Sequence, residues 1–457
     1  MLRSLLRKKP IGHTHHNGGL RQTLTAFDLT LMGIGAIIGA GVFVLTGVAA
    51  ATKAGPAILL SYLIAGIASM FSALAYAELA ASVGGTGSAY SYAYAGFGEL
   101  IAWIIGWDLL LEYAMAVSTV AIGWSGYVKN LCEAAHLHLP ASLTTNPADG
   151  GIVNLLAVGI ILLLALMLSI GVKYSARFNT AIVFIKLFTI ALFIVMSFNH
   201  IEFSNWQPFM PFGVTGVMGG AALVFFAYIG FDALSTAVEE TIEPQRNIPI
   251  GIIASLIICS GVYMIVSALL TLVVPYTTLN VASPVADALL KLGHHLTAGF
   301  IAAGATAGLT TVILVMYYGL TRICLAMARD GLIPRVVATI HPQTHTPIRI
   351  IALTGIITAA IAGFAPIGRA AELVNIGTLA AFTFVCAGVI ILRITHPDLP
   401  RPFKTPFSPL FPLLGIIFCV YLIYNLAVIT WWRFLLWMLI GLVVYFLYGH
   451  KHSLLKD

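Results

Sequence analysis

The sequence predicts an all-α integral membrane protein with twelve transmembrane helices. Of the 457 residues, 60% are hydrophobic and only 9% are charged, whereas a soluble domain has roughly 25% charged residues. Apolar segments near the ~20 residues that a helix needs to cross the hydrocarbon core follow one another along almost the whole chain. The connections between them are too short for a soluble domain.

The twelve predicted helices differ in length and in what lies between them. They occupy residues 28–50, 57–82, 97–127, 152–171, 177–198, 214–238, 248–274, 297–328, 348–365, 370–393, 409–430 and 432–449. The third and the eighth are long, which indicates tilt or extension beyond the bilayer. Around Trp431, Trp432 and Arg433, the last two helices are separated only by an anchor typical of the membrane interface.

The two ends of the chain, residues 1–27 and 450–457, are predicted to be cytoplasmic tails. Most of the 23 Lys and Arg residues fall on the side of the membrane that holds the N-terminus, as the positive-inside rule requires. We therefore expect a multi-pass protein of the inner cell membrane whose basic side contacts anionic lipid headgroups. The basic N-terminus lacks the apolar core of a signal peptide. Nothing in the sequence indicates nucleic acid as a partner.

The first helix contains the most unusual stretch of the chain, four glycines between residues 33 and 41. Each glycine costs about 1 kcal/mol in a helix relative to alanine, so the helix is expected to unwind there. In hydrocarbon, unwound backbone is tolerated only where it is buried in protein or lines a watery cavity. The stretch alone is equally compatible with a ligand site and with close packing of helices through small residues.

The sixth helix has a matching irregularity, because Gly230 and Asp232 lie in the middle of it. Interrupted helices at corresponding positions of two halves point to an inverted repeat with a binding site between the halves. We therefore predict a 5+5 inverted repeat, with residues 28–198 as the first unit and 214–393 as the second. The last two helices, residues 409–449, lie outside the repeat.

Several motifs then point to one family. They are GIGAIIGAGVFVLTG at 33–47, GGTGSAYSYAYAGFGE at 84–99, WDLLLEYAMAVSTVAIGWSGY at 107–127, FFAYIGFDALSTAVEETIEPQRNIPIGI at 225–252 and ARDGLIP at 328–334. With them the chain resembles the amino acid–polyamine–organocation (APC) superfamily of permeases over roughly residues 20–450, and most closely the bacterial cationic amino acid transporter group. The resemblance implies a leucine-transporter-type fold with helices 1 and 6 broken, proton-coupled amino acid uptake, and no metal or organic cofactor.

A free amino acid is a zwitterion, so its pocket needs donors for the carboxylate and acceptors for the ammonium. A broken helix provides both, since a helix start offers free N–H groups and a helix end offers free carbonyls. The resemblance places these groups at Ile37, Ile38, Gly39, Ala40, Gly41, Phe226, Ala227 and Ile229. Many relatives have Ser or Thr at the position of Ala40, so a hydroxyl contact is missing here while the backbone donors remain.

Lys186 is the most informative single residue, because it lies near the middle of the fifth helix. A cation at the bilayer centre costs ~2.5–3.5 kcal/mol on insertion scales. This cost favours the neutral amine, so the lysine could gain and lose a proton near neutral pH. The resemblance implies that this lysine replaces a sodium ion of related transporters and couples the carrier to protons. Thr310 and Thr311, with carbonyls near Gly35 and Ile38, are its predicted partners. The alternative is a lysine paired with a structural carboxylate.

Four further residues are candidates for the substrate pocket: Glu112, Phe231, Asp232 and Met316. An acid at Glu112 or Asp232 would suit a cationic substrate, but Glu112 could also hold water or a partner helix, and Asp232 could cap the helix after the break. Phe231 is either a lid or a packing residue. Met316 would shorten the pocket and favour small amino acids, or it simply fills the core.

These observations predict a secondary-active, proton-coupled permease, not an enzyme, for small neutral or cationic L-amino acids. The alternatives are an amino acid or polyamine exchanger of the same fold and, from a different class, a membrane sensor of amino acids. No phosphate-binding loop or Ser/His/Asp set stands out, which disfavours ATP drive and hydrolysis. The oligomeric state and an added single-span subunit are left open by this sequence.

Overall fold

Helices make up most of the chain that the structure describes. The computed structural model describes residues 7–10, 20–39, 41–134, 137, 139–147, 150–281, 283–365, 367–424, 426 and 428–455. Within these ranges the only β-type contact is an isolated parallel bridge between Leu24 and Thr241. Ala40, one of the predicted site residues, lies outside the described residues.

Fourteen helices make up the framework and are numbered here in chain order. They are α1 (Ala26–Ile37), α2 (Ile58–Ser82), α3 (Ala89–Gly96), α4 (Glu99–Ala134), α5 (Leu155–Ile170), α6 (Val172–Phe198), α7 (Gly213–Val224), α8 (Pro244–Val273), α9 (Pro284–Lys291), α10 (His295–Arg329), α11 (Ile348–Phe364), α12 (Ile367–Thr395), α13 (Leu410–Tyr424) and α14 (Val428–Val444). The short helices α3 and α9 lie in connections where no helix was predicted.

The helices are those of a multi-pass membrane protein. In the described part of the chain, eight helical stretches are long and apolar enough to cross a membrane. The shorter apolar helices α5, α11 and α13 accompany them. Large apolar side chains remain exposed on the outer surface of several helices, for example Phe188 at 69% and Leu436 at 60%. Such a surface is stable in contact with lipid and unstable in contact with water.

Both predicted interruptions are present. The helix α1 ends at Ile37, and helical structure resumes at Gly41 with a π-helical turn. The helix α7 ends at Val224 and is followed by a 3-10 turn, an extended residue at Ile229, and a second 3-10 segment, Phe231–Glu240. The second half of the sixth predicted span is therefore wound more tightly than the α-helix expected there.

The start of α1 is set by its own side chains. Thr25 accepts a hydrogen bond from the backbone N–H of Asp28, and the Asp28 carboxylate accepts one from the backbone N–H of Thr25. This reciprocal capping satisfies donors that a helix start otherwise leaves free. The residues just before the cap pair with the chain at 240–242, through Leu24 N to Glu240 O at 3.0 Å and Ile242 N to Leu24 O at 2.9 Å.

The interior is built by two groups of packed helices around the interruptions. The helix α8 packs along α2 and α1, while α10 packs along α4 and contacts α6. These contacts bring α1, α6, α8 and α10 around the first interruption. The position of the interruptions within the core therefore depends on helices that are distant in sequence.

An ion pair fastens the Phe231–Glu240 segment to α10. The Arg322 guanidinium donates two hydrogen bonds of 2.8 Å to the two oxygens of the Glu240 carboxylate. The guanidinium carbon also lies 4.4 Å from the centre of the Tyr318 ring, and the Tyr318 hydroxyl donates to Glu240. Both charged side chains are buried. Removing one partner of such a pair leaves a buried charge without compensation.

We expect Arg322→Met to lower the free energy of unfolding by about 3–5 kcal/mol, because the Glu240 carboxylate would stay buried and unpaired. The double variant Arg322→Met with Glu240→Leu should recover much of this loss. Thermal unfolding of the purified protein in detergent measures both. The control is Arg246→Met, since Arg246 is 77% exposed and lies 3.9 Å from Glu243; a double variant no more stable than Arg322→Met would contradict the prediction.

Candidate functional site

The two interruptions lie against each other. A side-chain carbon added to Gly41 would lie only 2.3 Å from Cβ of Ala227. A carbon added to Gly230 would lie 3.0 Å from Cβ of Ala36, and Gly230 has a φ of +121°. Only glycine combines this backbone conformation with so close an approach. The free backbone groups of both interruptions therefore meet in one place.

One hydroxyl reaches the carbonyl groups of both interruptions. The Tyr263 hydroxyl, on α8, lies 2.6 Å from the carbonyl oxygen of Ile37 and 2.9 Å from that of Ala227. Both carbonyls were predicted to face a common substrate site; they share one hydroxyl partner here, and their role in binding stays a prediction. A phenol has only one proton to donate, so one of these two carbonyls retains its full capacity to accept a hydrogen bond from a ligand.

Tyr263 belongs to a group of three buried tyrosines that sequence reasoning missed. Its ring centre lies 5.1 Å from that of Tyr62 and 5.3 Å from that of Tyr228. The Tyr62 hydroxyl donates to the carbonyl of Gly41 at 2.9 Å, and the Tyr228 hydroxyl donates to the carbonyl of Tyr62. The available signal was a hydroxyl in the middle of an apolar segment, since a buried Tyr O–H needs a partner.

The other predicted backbone groups differ in their partners. The Ile38 carbonyl accepts from Lys186, and the Phe226 carbonyl accepts from the backbone N–H of Ile229 at 3.3 Å. The Gly39 carbonyl accepts from the backbone N–H of Phe43 at 3.4 Å. After the first interruption a new helix begins at Gly41. The first backbone N–H groups of a helix have no carbonyl partner within that helix.

Lys186 is fully buried and surrounded by oxygen atoms. Its Nζ lies 2.7 Å from the carbonyl oxygen of Ile38, 3.0 Å from that of Gly35 and 3.2 Å from that of Ile34. The fourth oxygen is the Thr311 hydroxyl at 2.9 Å, on α10. The ammonium group thereby joins α6 to the end of α1 and to α10. The contacts predicted with Thr311, Gly35 and Ile38 are confirmed.

Thr310 was a wrong prediction for the lysine site, and a structural carboxylate had been left open as the alternative. Thr310 does not contact Lys186; it accepts a hydrogen bond from the indole N–H of Trp124 at 2.9 Å. Neighbouring residues on a helix point about 100° apart, so only one of the two threonines can face α6. None of the ion pairs between described residues includes Lys186, which argues against the structural carboxylate that was the alternative. Cys259 on α8 is a titratable neighbour of Lys186.

The predicted acids form a buried group beside the second interruption. Asp232 accepts from the Tyr113 hydroxyl and, at 3.2 Å, from the backbone N–H of Gly230. Glu112 accepts from the Thr378 hydroxyl at 2.6 Å, while its second oxygen has no hydrogen-bond partner in the described structure. The contact with Gly230 places Asp232 at the start of the helical segment after the break, as the capping interpretation requires.

The apolar candidates are all in or near the core. Phe231 is buried, with its ring centre 5.1 Å from that of Phe382 and 5.8 Å from that of Tyr76. Met316 on α10 and Ile229 in the second interruption are buried, and Phe226 is half-buried against the core. The roles predicted for Phe226, Ile229, Phe231, Met316, Glu112 and Asp232 remain predictions.

Comparison with known proteins identifies the group to which this arrangement belongs. The family model described as amino acid permease matches residues 24–445. The chain belongs to the amino acid permease family. The match includes both interruptions and Lys186, and it confirms the superfamily that the motifs indicated.

Individual relatives of this permease cover almost its whole length. It is 48% identical to the methylthioribose transporter of Bacillus subtilis (strain 168), over 99% of both chains. It is also 48% identical to the branched-chain amino acid permease BcaP of the same organism, again over 99% of both chains. The human cationic amino acid transporter 4 is 31% identical over 99% of this chain and 91% of its own. These relatives are named as transporters and permeases, not enzymes.

We expect Tyr263→Phe to cost about 1–3 kcal/mol of stability, because a buried carbonyl at Ile37 or Ala227 would lose its donor. Thermal unfolding of the purified permease without added substrate measures this loss. Tyr174→Phe is the matched control, since the Tyr174 side chain is 61% exposed. Equal stability of Tyr263→Phe and the control would show that the hydroxyl does not stabilise the interruptions.

Proposed function

We propose that this permease takes up amino acids in symport with protons, by alternating access to a site between the two interruptions. The observation that carries the proposal is the position of Lys186. A buried ammonium group, which has no acidic partner among the described residues, binds the end of α1 directly beside the Ile37 carbonyl. The charge state of one side chain is thereby linked to the geometry of the site.

The interruptions provide the chemistry that a zwitterion needs. The carbonyls of Ile37 and Ala227 converge on one point and would accept hydrogen bonds from the substrate ammonium. The first N–H groups of the helix that begins at Gly41 would donate to the carboxylate, where the helix dipole favours negative charge. The backbone N–H groups from Gly39 to Gly41, including Ala40, would therefore hold the carboxylate end, and the carbonyls of Ile37, Phe226 and Ala227 would hold the ammonium end.

Lys186 would act as the proton site of the cycle. When charged, the ammonium group holds α1, α6 and α10 together through four oxygen atoms. A neutral amine has only two protons to donate, so it would bind this set of acceptors less strongly. Loss of the proton would then let α1 move away from α6 and open the site to the opposite side of the membrane.

The arrangement of helices supports twelve crossings, of which we assign ten to two inverted units. The first apolar stretch, residues 26–82, contains two of the predicted helices, and each of the other seven contains one. The shorter helices α5, α11 and α13 coincide with the remaining three. We propose that residues 28–198 and 214–393 are the two repeat units of a leucine-transporter-type fold in the inner membrane. Both termini would then be cytoplasmic; lipid contacts and a single-span subunit remain predictions.

The substrate is proposed to be a small neutral amino acid, with cationic amino acids as the alternative. The buried Met316 would limit the length of the pocket, and the two acids Glu112 and Asp232 are already engaged by Thr378 and Tyr113. Methylthioribose is a second candidate, because a transporter of that name is as similar to this chain as the branched-chain permease. Its hydroxyls could use the same carbonyls, but it has no carboxylate for the helix that begins at Gly41.

Uptake into proteoliposomes tests the proposal. The purified permease is reconstituted, and uptake of radiolabelled L-alanine, L-valine, L-leucine and L-arginine is measured with and without an inward proton gradient. Unlabelled methylthioribose is added as a competitor. Gradient-accelerated uptake supports the symporter. Uptake only by exchange against internal substrate would favour the exchanger, and binding without uptake would favour the sensor.

We expect Lys186→Met to remove the acceleration by the proton gradient, because the variant has no group to carry the proton. Lys186→Arg should behave likewise, since a guanidinium stays charged in proteins. Lys173→Met is the control, because Lys173 lies on the same helix but is exposed. Proton-driven uptake that survives in Lys186→Met would contradict the proposed coupling.

We expect Met316→Ala to shift selectivity toward larger amino acids, because removing the side chain lengthens the pocket. Each methylene newly buried is worth about 0.8 kcal/mol, roughly a fourfold change in affinity. Competition of L-alanine uptake by L-leucine and L-arginine measures the shift. Met327→Ala, buried on the same helix three turns away, should leave the ratios unchanged. Unaltered ratios in Met316→Ala would assign that methionine to the core.

A further inference from the structure

A small cavity lies beside α6, between Lys186 and the end of the molecule that holds the N-terminal residues. It is bordered by α1, α5, α6 and α10, with Met32, Leu168, Asn179 and Leu314 among its walls. The space open to the centre of a water molecule is about 10 Å³, close to the minimum that a single water requires. Most of the lining is apolar, and the polar side chains in it are Ser175, Asn179 and Tyr318.

Asn179 lines this cavity and has an unsatisfied hydrogen-bond acceptor. Its side chain is 1% exposed. The amide nitrogen donates to the carbonyl oxygen of Leu31 at 3.1 Å, whereas the amide oxygen has no hydrogen-bond partner in the described structure. Leaving a buried acceptor unsatisfied costs about 1–3 kcal/mol. A water molecule in the cavity would satisfy this oxygen, and the Ser175 hydroxyl could accept from the same water.

Asn179 is also aligned with Lys186. The two residues are seven positions apart on α6, which places them on one face of the helix about 10.5 Å apart along its axis. Gly35 lies between them. Its carbonyl oxygen accepts from Nζ of Lys186 at 3.0 Å, and a side-chain carbon added to Gly35 would lie 2.4 Å from the amide oxygen of Asn179. The ammonium group and the amide therefore contact the same glycine.

The polar path continues from the cavity toward the N-terminal end. Tyr318 lines the cavity, and its hydroxyl donates to the Glu240 carboxylate. Glu240 is paired with Arg322, and its backbone carbonyl accepts from Leu24. These groups lie beyond Asn179 on the side that the proposed orientation makes cytoplasmic. The contacts described above place Cys259, Tyr318, Glu240 and Arg322 near this path, and Lys173 and Arg177 lie on the same helix as Asn179.

We propose that this cavity is a water port through which Lys186 exchanges its proton with the cytoplasm. This inference rests on the proposed proton symport. Water ordered by Asn179 reaches Nζ when α1 shifts. The N–H bond breaks and its electron pair stays on the nitrogen, while the proton forms a bond to the water oxygen. The resulting hydronium passes a proton on to bulk water, and the lysine is left neutral.

The variant Asn179→Leu tests the port, since leucine has nearly the shape of asparagine but no polar atoms. Net uptake driven by a proton gradient requires Lys186 to release its proton in each cycle, whereas exchange of internal for external substrate at equal pH does not. With the panel amino acid that the wild-type protein takes up fastest, we expect proton-driven uptake to fall by about tenfold. Exchange should stay near the wild-type rate.

Two further variants separate the port from a structural role. Asn179→Ser keeps a hydroxyl and leaves room for a second water, so it should restore most of the proton-driven uptake. Ser197→Ala is the matched control, because Ser197 is also buried, unpartnered and on the same face of α6, but lies on the other side of Lys186. Equal loss of uptake and exchange in Asn179→Leu, or no loss of either, would overturn the proposal.

Cysteine labelling distinguishes failure of the port from failure of the proposed symport. The full chain carries Asn179→Cys or Ser197→Cys, with its five native cysteines replaced, and is treated in oriented vesicles with a membrane-impermeant methanethiosulfonate. The port predicts that Cys at 179 reacts from the N-terminal side and Cys at 197 does not. If the proton gradient does not change wild-type uptake, the proposed symport is wrong. The labelling of Cys at 179 still decides whether water enters the cavity. No reaction at 179 would overturn the port.

Discussion

The structure depends on a cation that is held in the membrane interior by oxygen dipoles alone. An ammonium group at this depth must find acceptors inside the protein, because hydrocarbon offers none. In an intact helix each carbonyl already accepts from the residue four positions on, so only its second lone pair is left for another donor. Because α1 ends at Ile37, the carbonyls of Gly35 and Ile38 have no helical donor among the described residues and accept from Lys186, while the Ile34 carbonyl accepts from both Lys186 and the backbone N–H of Ile38. The break in the helix and the buried lysine therefore depend on each other. The break supplies acceptors for the ammonium group, and the ammonium group supplies a donor for the carbonyls at the break.

Another carbonyl of the first interruption, that of Ile37, shares a partner with the second interruption. Gly41 and Ala227 are in contact, and the Tyr263 hydroxyl spans the carbonyls of Ile37 and Ala227. A hydroxyl with one proton is a weaker and less complete partner for two carbonyls than an ammonium group with three. Binding of a zwitterion would thus improve the hydrogen bonding of the interruptions. Under the proposed function, Tyr263 would hold the two interruptions in register without competing strongly with a substrate.

Local features of the sequence predicted what is local in the structure. The glycines from 33 to 41 predicted the end of α1, and Gly230 predicted the second interruption, because both are backbone effects. Lys186 stood out because any charge in an apolar segment needs a reason. Which side chains meet was harder to predict, since it depends on helix rotation. Thr311 faces α6 and Thr310 does not. A shift of one residue along α10 thus determines which threonine contacts Lys186.

The residues missed in the sequence share a different physical cause. Tyr62 and Tyr263 look like ordinary apolar residues in a helix, and their hydroxyls become informative only when the carbonyls opposite are known. Asn179 lies within the first turns of a predicted helix, where a polar residue usually meets solvent or headgroups. Its burial results from the position of α1 and α10, which local sequence does not encode. Positions of chemical groups were predictable here, and their pairing required the fold.

The contacts at the N-terminal end indicate which element moves when the site opens. The Phe231–Glu240 segment is tied to α10 by the buried pair of Glu240 with Arg322, and also by Glu239 with Arg329 at 2.6 Å. Breaking a buried pair costs about 3–5 kcal/mol. In contrast, α1 is held to this end by backbone hydrogen bonds at Thr23 and Leu24, each worth about 0.5–1.5 kcal/mol net. The lower cost lies with α1, which is also the helix that Lys186 would release under the proposed proton coupling. Movement of α1, with α10 and the 231–240 segment staying together, therefore breaks the weaker of these two sets of polar contacts.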